Sequence, residues 1–277
     1  MKMNRKEIAA ETLKIQQQCR YQVNGTEIDI TARQRASEQN SFLLTPEQGH
    51  DLIRKIQPLP NSPTAVYRLI NQSTVRAIAE MNDSGSIPAV LNFASAKNPG
   101  GGFLNGAMAQ EEALAAAGGL YQTQLLHSTY YTANRACKSM MYTDHAIYSP
   151  EVVFFRDDRF ALLEQPVYAS VLTLPAVNMG QVIRKGEDVP QAKAVMKDRM
   201  RLSLAVFAGQ KAARLILGAY GCGVFKNDPA EVACWWRELL EEEGYGRFFE
   251  EIVFAVLDRS GSNMAAFEQE FLNKTGV

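Results

Sequence analysis

Apolar residues along this chain gather in short continuous runs bounded by polar residues, the pattern of buried strands. Five runs stand out: Ala89–Phe93, Val152–Phe155, Val167–Leu174, Arg214–Gly218 and Ile252–Leu257. Helical periodicity fills most of the intervals between them. Such alternation predicts an α/β domain with a central mixed β-sheet and helices on both faces. The N-terminal part reads differently. Residues 4 to about 18 predict a polar amphipathic helix with Ile8, Leu13 and Ile15 as its apolar contacts. Tyr21 to Ile30 alternates around Asn24-Gly25, a hairpin signal. Residues from about 31 to 63 are polar and carry Pro46, Pro58, Pro60 and Pro63. They hold too few large apolar side chains for an independent domain. Residues 1–63 are therefore read as an N-terminal accessory extension packed on a main domain of residues 64–277.

Composition narrows the chemistry. The chain has 277 residues, of which 46% are hydrophobic and 21% charged, ample for a packed core. Its formal net charge of −1 is a poor match for a broad basic surface that grips polyanions, so no direct nucleic-acid partner is expected. Any polyanionic ligand must be held locally, by loop amides and a few side chains. Cys19, Cys137, Cys222 and Cys234 form no Cys-x-x-Cys pair, and His50, His127 and His145 are scattered. No metal site is expected, and no cofactor. Unpaired cysteines suit a reducing cytoplasm. The start, Met-Lys-Met-Asn-Arg-Lys-Glu, leads into no apolar run, and no stretch approaches the roughly 20 apolar residues of a membrane span.

Two glycine loops carry the candidate chemistry. The first follows the Ala89–Phe93 run: Pro99-Gly100-Gly101-Gly102-Phe103-Leu104-Asn105-Gly106, then Gln110-Glu111-Glu112 at the start of an alanine-rich helix that Gly118-Gly119 ends. Successive glycines let backbone approach a ligand closely. The second loop follows the Arg214–Gly218 run: Tyr220-Gly221-Cys222-Gly223-Val224-Phe225. Asp228 and Pro229 then open a helix, with Glu231 at capping-box spacing. Val232, Trp235, Trp236, Leu239 and Leu240 form its apolar face, and Gly244 ends it. Strand, glycine loop and helix N-terminus thus occur twice. Backbone N–H groups and helix dipoles of two such loops can clamp one extended anion. Neither loop reads Gly-x-Gly-x-x-Gly or ends in Gly-Lys-Ser/Thr, so a usual dinucleotide fold and a P-loop are both disfavoured.

Asn92-Phe93-Ala94-Ser95, the glycine triplet and Gln110-Glu111-Glu112 together resemble the signature of microbial-type poly(ADP-ribose) glycohydrolases, which are built on a macrodomain. Gly218 to Phe225 resembles their diphosphate-binding loop. Met141 to Asp144, Ile147 to Pro150, Val153 to Asp158 and Leu174 to Asn178 fit the same family in the right order. Met108, where a basic residue is common, and Ala115 to Gly118, where a more polar stretch is common, depart from it.

The resemblance implies a macrodomain-like fold and hydrolysis of ribose–ribose O-glycosidic bonds, with poly(ADP-ribose) or ADP-ribosylated proteins as partners and ADP-ribose as product. Glycosidases normally place two carboxylates roughly 5–9 Å apart on opposite faces of the sugar. Adjacent glutamates cannot do so, because helical side chains at i and i+1 diverge by about 100°. By the family pattern Glu112 is the acid/base and Glu111 binds ribose hydroxyls. The helix N-terminus favours the Glu112 anion by about 0.3–1 kcal/mol. Burial, Glu111 and an incoming diphosphate oppose it. Ser95, Gly100, Gly101, Gly102, Asn105, Gln110, Gly221, Cys222, Gly223, Val224 and Phe225 are the expected substrate-binding residues. Ser95 reads equally as a turn serine, and Phe225 as a ribose platform or a core residue. Cys222 reads better as a small residue with a free N–H than as a nucleophile, having no nearby histidine in sequence. The alternatives are an ADP-ribose-binding macrodomain without catalysis, a hydrolase of mono-ADP-ribosyl groups, and an unrelated phosphate-binding enzyme.

Overall fold

The computed structural model describes residues 4–57, 65–82 and 86–272. The boundary expected at 63/64 lies outside the described residues. The chain opens with α1 (Arg5–Gln18), whose N-cap Asn4 accepts from the Lys6 and Glu7 N–H groups while Glu7 reaches back to the Asn4 N–H. The expected hairpin follows as β1 (Arg20–Val23) and β2 (Thr26–Asp29). Asn24 and Gly25 turn it at φ 50° and 80°, as a tight two-residue loop requires. Next come α2 (Thr31–Asn40), β3 (Phe42–Leu44), α3 (Pro46–Lys55), β4 (Val66–Ile70), α4 (Thr74–Met81) and β5 (Ala89–Ala94). The middle of the chain forms α5 (Gln110–Ala117), α6 (Leu120–Leu125), α7 (Ser128–Ala136), β6 (Ala146–Arg156), β7 (Leu162–Pro175) and α8 (Met179–Lys185). The last part forms α9 (Val189–Gly209), β8 (Arg214–Leu217), α10 (Pro229–Arg237), β9 (Glu251–Ala255) and α11 (Ser262–Phe271).

Seven strands make one mixed sheet in the order β3-β6-β7-β5-β8-β9-β4. The five from β7 to β4 run parallel, and β6 and β3 add antiparallel partners at one edge. All five expected strands are present. Two are absent from the expected set. β3 is a three-residue edge strand in a polar stretch, and β4 alternates exposed and half-buried residues through Arg68.

Alternation within the buried strands separates two cores. Leu91, Leu172, Leu215, Leu217, Ile252 and Phe254 point to one face, against α9, α10 and α11. Their neighbours Val90, Val171, Ile216 and Val253 point to the other, against α4 and α5. The N-terminal helix packs on α5 through Ile8, Ala9, Ala115 and Ala116. Arg156 fastens it: this buried guanidinium binds Thr12 and Glu11, and the Thr12 hydroxyl donates to the Ala116 carbonyl.

Past β8, Asp228 caps α10 by accepting from the Ala230 N–H. Glu231 does not complete the expected capping box; its carboxylate pairs with Lys193 of α9 instead. Of the expected apolar face, Val232, Trp236, Leu239 and Leu240 are fully buried while Trp235 is half-buried. The α10 helix widens into a π turn at Glu238–Glu242, and Gly244 at φ 82° stops it.

Candidate active site

Both glycine loops leave the carboxyl ends of adjacent parallel strands, β5 and β8, where α/β proteins place ligands. A groove of ≈ 2380 Å³ opens at this end of the sheet and extends past α1 to the β6–β7 turn. Its floor carries Glu111 and Glu112, and its walls include Ser95, Gly101, Gly102, Gly221, Gly223 and Phe225.

The first loop is shaped around the two glutamates. Gly100 and Gly101 adopt φ 62° and 59°, the left-handed region. A β-carbon on Gly101 would overlap Oε1 of Glu112 and lie 3.1 Å from Oε2 of Glu111. The side chains leave the helix in different directions, yet their carboxylates converge on the same glycine. That corrects the expected divergence at the functional end. Glu112 Oε1 accepts from the Gly102 N–H at 2.9 Å, and Oε2 accepts from the Ala109 N–H at 2.9 Å. One carboxylate thereby ties the loop to the start of α5.

Glu111 is only 3% exposed and is held by three donors. The Ser95 N–H donates at 2.6 Å, Gln124 Nε2 at 2.9 Å and Asn92 Nδ2 at 3.2 Å. Burial pushes its carboxyl up to about 8, with a small further push from Glu112, against the downward pull of those hydrogen bonds. Gln124 also accepts from the Gly100 N–H at 2.9 Å, so one amide links Glu111 to the glycine triplet. Asn92 and Gln124 both lean on the Thr173 hydroxyl of β7. Asn92, Gln124 and Thr173 are absent from the expected binding set. Their fully buried polar side chains fit no spacing rule; Asn92 and Thr173 are marked by lying inside apolar runs, and nothing local marks Gln124.

Other expected residues divide by role. Gln110 lines the groove, but its amide is spent on β5: Oε1 accepts from the Phe93 N–H and Nε2 donates to the Leu91 carbonyl, both at 2.8 Å. β8 pairs with β5 at Ala89 and Val90, and Gln110 takes over beyond that point. Its amide thus completes the hydrogen bonding of β5 at the groove. Ser95 is a turn serine placed at the groove. Its hydroxyl accepts from the Lys97 and Asn98 N–H groups as a turn serine, and the residue lines the groove. Asn105 ends a short 3-10 turn, Phe103–Asn105, at the groove wall, and Met108 also lines the groove.

In the second loop, Gly221 at φ 74° is packed tightly: a β-carbon there would lie 2.5 Å from Asn227 Nδ2 and 2.7 Å from Ala176. Buried Asn227 staples the loop by donating to the Val177 and Gly221 carbonyls. Gly223 has open space around it, Val224 is 77% exposed, and half-buried Phe225 sets its ring 6.1 Å from that of Tyr142. Cys222 does not line the groove. Burial pushes its thiol up to about 12, which removes the thiolate a nucleophile needs. The described residues hold no cluster of three or more His, Cys, Asp or Glu able to bind a metal, and no helix among them is long and apolar enough to cross a membrane.

A macrodomain-like α/β sheet bearing a glutamate pair between two glycine loops defines a class of ADP-ribose-handling proteins, and comparison with known proteins places the chain within it. The family model described as the microbial-type PARG catalytic domain matches residues 9–157. The crystal structure of poly(ADP-ribose) glycohydrolase from Thermomonospora curvata is 37% identical, with a TM-score of 0.92 over 96% of this chain and 99% of that one. The same enzyme bound to the inhibitor ADP-HPD is similar at 36% identity and a TM-score of 0.88, over 96% and 99% of the two chains. Poly(ADP-ribose) glycohydrolase from Deinococcus radiodurans in complex with ADP-ribose is 41% identical, with a TM-score of 0.81 over 92% of this chain and 100% of that one. A search of curated proteins finds no match. The chain belongs to the microbial-type poly(ADP-ribose) glycohydrolase family.

Proposed function

We propose that this chain hydrolyses the ribose–ribose O-glycosidic bonds of poly(ADP-ribose) and releases ADP-ribose, with Glu112 as acid/base. The observation that carries this reading is the convergence of Glu111 and Glu112 on Gly101, at the floor of the groove walled by the second glycine loop. The terminal unit's diphosphate lies along the Gly221–Phe225 amides, and Phe225 packs against its ribose. Glu111, fixed by Ser95, Asn92 and Gln124, accepts hydrogen bonds from ribose hydroxyls.

Glu112 is half-buried at the groove. It gives its proton to the leaving ribose oxygen as the bond to the anomeric carbon breaks. The resulting oxocarbenium ion is stabilised by the substrate's own diphosphate. A water then adds its oxygen to the anomeric carbon and returns its proton to Glu112, which restores the acid. Loop amides supply the anion contacts, so the reaction proceeds without a divalent metal. Four free cysteines fit work in a reducing cytoplasm.

Product analysis on labelled poly(ADP-ribose) tests the activity, and Glu112→Gln tests the assignment. The amide keeps the shape and loses the proton, so turnover falls at least about 10²-fold while ADP-ribose binding persists. Near wild-type turnover by Glu112→Gln would sink the assignment.

A further inference from the structure

The groove is larger than one ADP-ribose needs. Its ≈ 2380 Å³ exceeds the roughly 300–1,000 Å³ of an ordinary small-ligand site. Its lining also falls into two groups of residues, its two arms. β8 and β9 lie on one side of β5, while the β6–β7 turn precedes the amino end of β7 and packs on α1 through Phe160 and Ile8. The first arm follows the loop after β8 and reaches Leu257 and Asn263 beyond β9. The second passes Leu104 and Gly106 and runs along α1 to the β6–β7 turn at Arg159 and Phe160. The glutamates, carried by the segment after β5, line the groove together with both arms. One ADP-ribose held by the β8 loop leaves the second arm without an occupant.

The second arm carries cations that the fold does not use. Arg5 and Lys6 lie against the first glycine loop: a β-carbon on Gly106 would sit 3.3 Å from Lys6 Cγ and 3.4 Å from Arg5 Cβ. Neither they nor Arg159 has an ion-pair partner among the described residues. Two acids share this wall. Glu11 is taken up by Arg156, and Asp158 stands exposed. Arg5 and Lys6 occupy the first turn of α1, where the helix dipole disfavours positive charge. In a chain of net charge −1, they reflect no general basic excess. Local stability gives no reason for them. An anion arriving in the groove does.

We infer that this arm is the leaving-side subsite: Arg5, Lys6 and Arg159 receive the diphosphate of the unit on the far side of the scissile bond. The inference rests on the poly(ADP-ribose) reading above. It makes these residues determinants of polymer recognition, distinct from those that hold the terminal ADP-ribose. Phe160, packed with Ile8, Phe103 and Tyr121, closes the arm with an apolar surface.

The test compares polymer turnover with binding of free ADP-ribose in two variants, the double charge reversal Arg5→Glu/Lys6→Glu and the single Arg159→Glu. Acids in the first turn of a helix are favourable, so the double variant folds; a thermal melt checks it. The expected result for the double variant is a KM for long poly(ADP-ribose) raised about tenfold, from like-charge repulsion. Its kcat stays within about twofold, and its affinity for free ADP-ribose, read by calorimetry, does not change. Arg159→Glu raises KM in the same direction, and Arg5→Lys retains the wild-type KM. An unchanged polymer KM in the folded double variant would overturn the inference. So would an equal loss of ADP-ribose affinity, which would assign the cations to the terminal unit. Absence of ADP-ribose release by the wild-type chain would remove the underlying reading, and this inference with it.

Discussion

Gly101 lies so close to Glu112 that a β-carbon on the glycine would overlap Oε1 of the carboxylate. Loop and acid are therefore one unit. Gly101→Ala has to shift the carboxylate and also strains a residue at φ 59°, which costs about 1–2 kcal/mol for an L side chain. The expected outcome is a loss of turnover of about 10²-fold with a Tm only a few degrees lower. Steady-state rates beside a melt check it; full activity in Gly101→Ala would separate the loop from the acid.

The Glu111 carboxyl, pushed up to about 8 by burial from an ordinary 4.5, gives the fold a pH dependence. Between these values the folded state binds more protons than the unfolded one, so stability falls as pH rises through this window. The contribution is fully present below about 4.5 and lost above about 8, and amounts to at most about 5 kcal/mol. The wild-type Tm should decline from pH 5 to pH 8.5. Glu111→Gln should flatten that decline. A parallel decline in both proteins would place its origin elsewhere.

The two glycines of the second loop separate loop shape from ligand approach. At Gly221 an added β-carbon meets Asn227 and Ala176, whereas at Gly223 it meets nothing within 4 Å. Gly221→Val should lower the Tm and weaken ADP-ribose binding together. Gly223→Val should melt like the wild type yet bind ADP-ribose at least about tenfold more weakly, because its side chain stands where the phosphates must approach. Unchanged affinity in Gly223→Val would mean that the diphosphate lies away from this loop.

Chelation offers a separate check on the mechanism. If loop amides and Glu112 carry the reaction, dialysis against a chelator leaves the rate of ADP-ribose release unchanged. Loss of activity that magnesium restores would require a different mechanism.

Much of this architecture is legible in the sequence because buried parallel strands announce themselves. Ala89–Phe93 and Arg214–Gly218 are short apolar runs that end in glycine-rich loops, and each proves to be a strand leading to the site. β3 and β4 are not legible. β3 is only three residues long, and Arg68 interrupts the apolar run of β4, where it pairs with Glu251 of the neighbouring strand. At the site, the glutamate pair stands out by position. The residues that hold Glu111 do not: Gln124 and Thr173 are 13 and 62 positions away. Only its place inside an apolar run marks Thr173, and Gln124 sits among other polar residues of its helix. Gln110 shows the converse. It stands within the motif, yet its amide completes the hydrogen bonding of β5.

The indole of Trp236 is fully buried and donates to the carbonyl of Gly218, at the root of the second loop, at 3.1 Å. The chain has only one other tryptophan, the half-buried Trp235. Any ligand-driven change in the loop is passed directly to a chromophore, so the protein carries its own optical reporter. Emission at tryptophan wavelengths should follow ADP-ribose capture in real time, without a label.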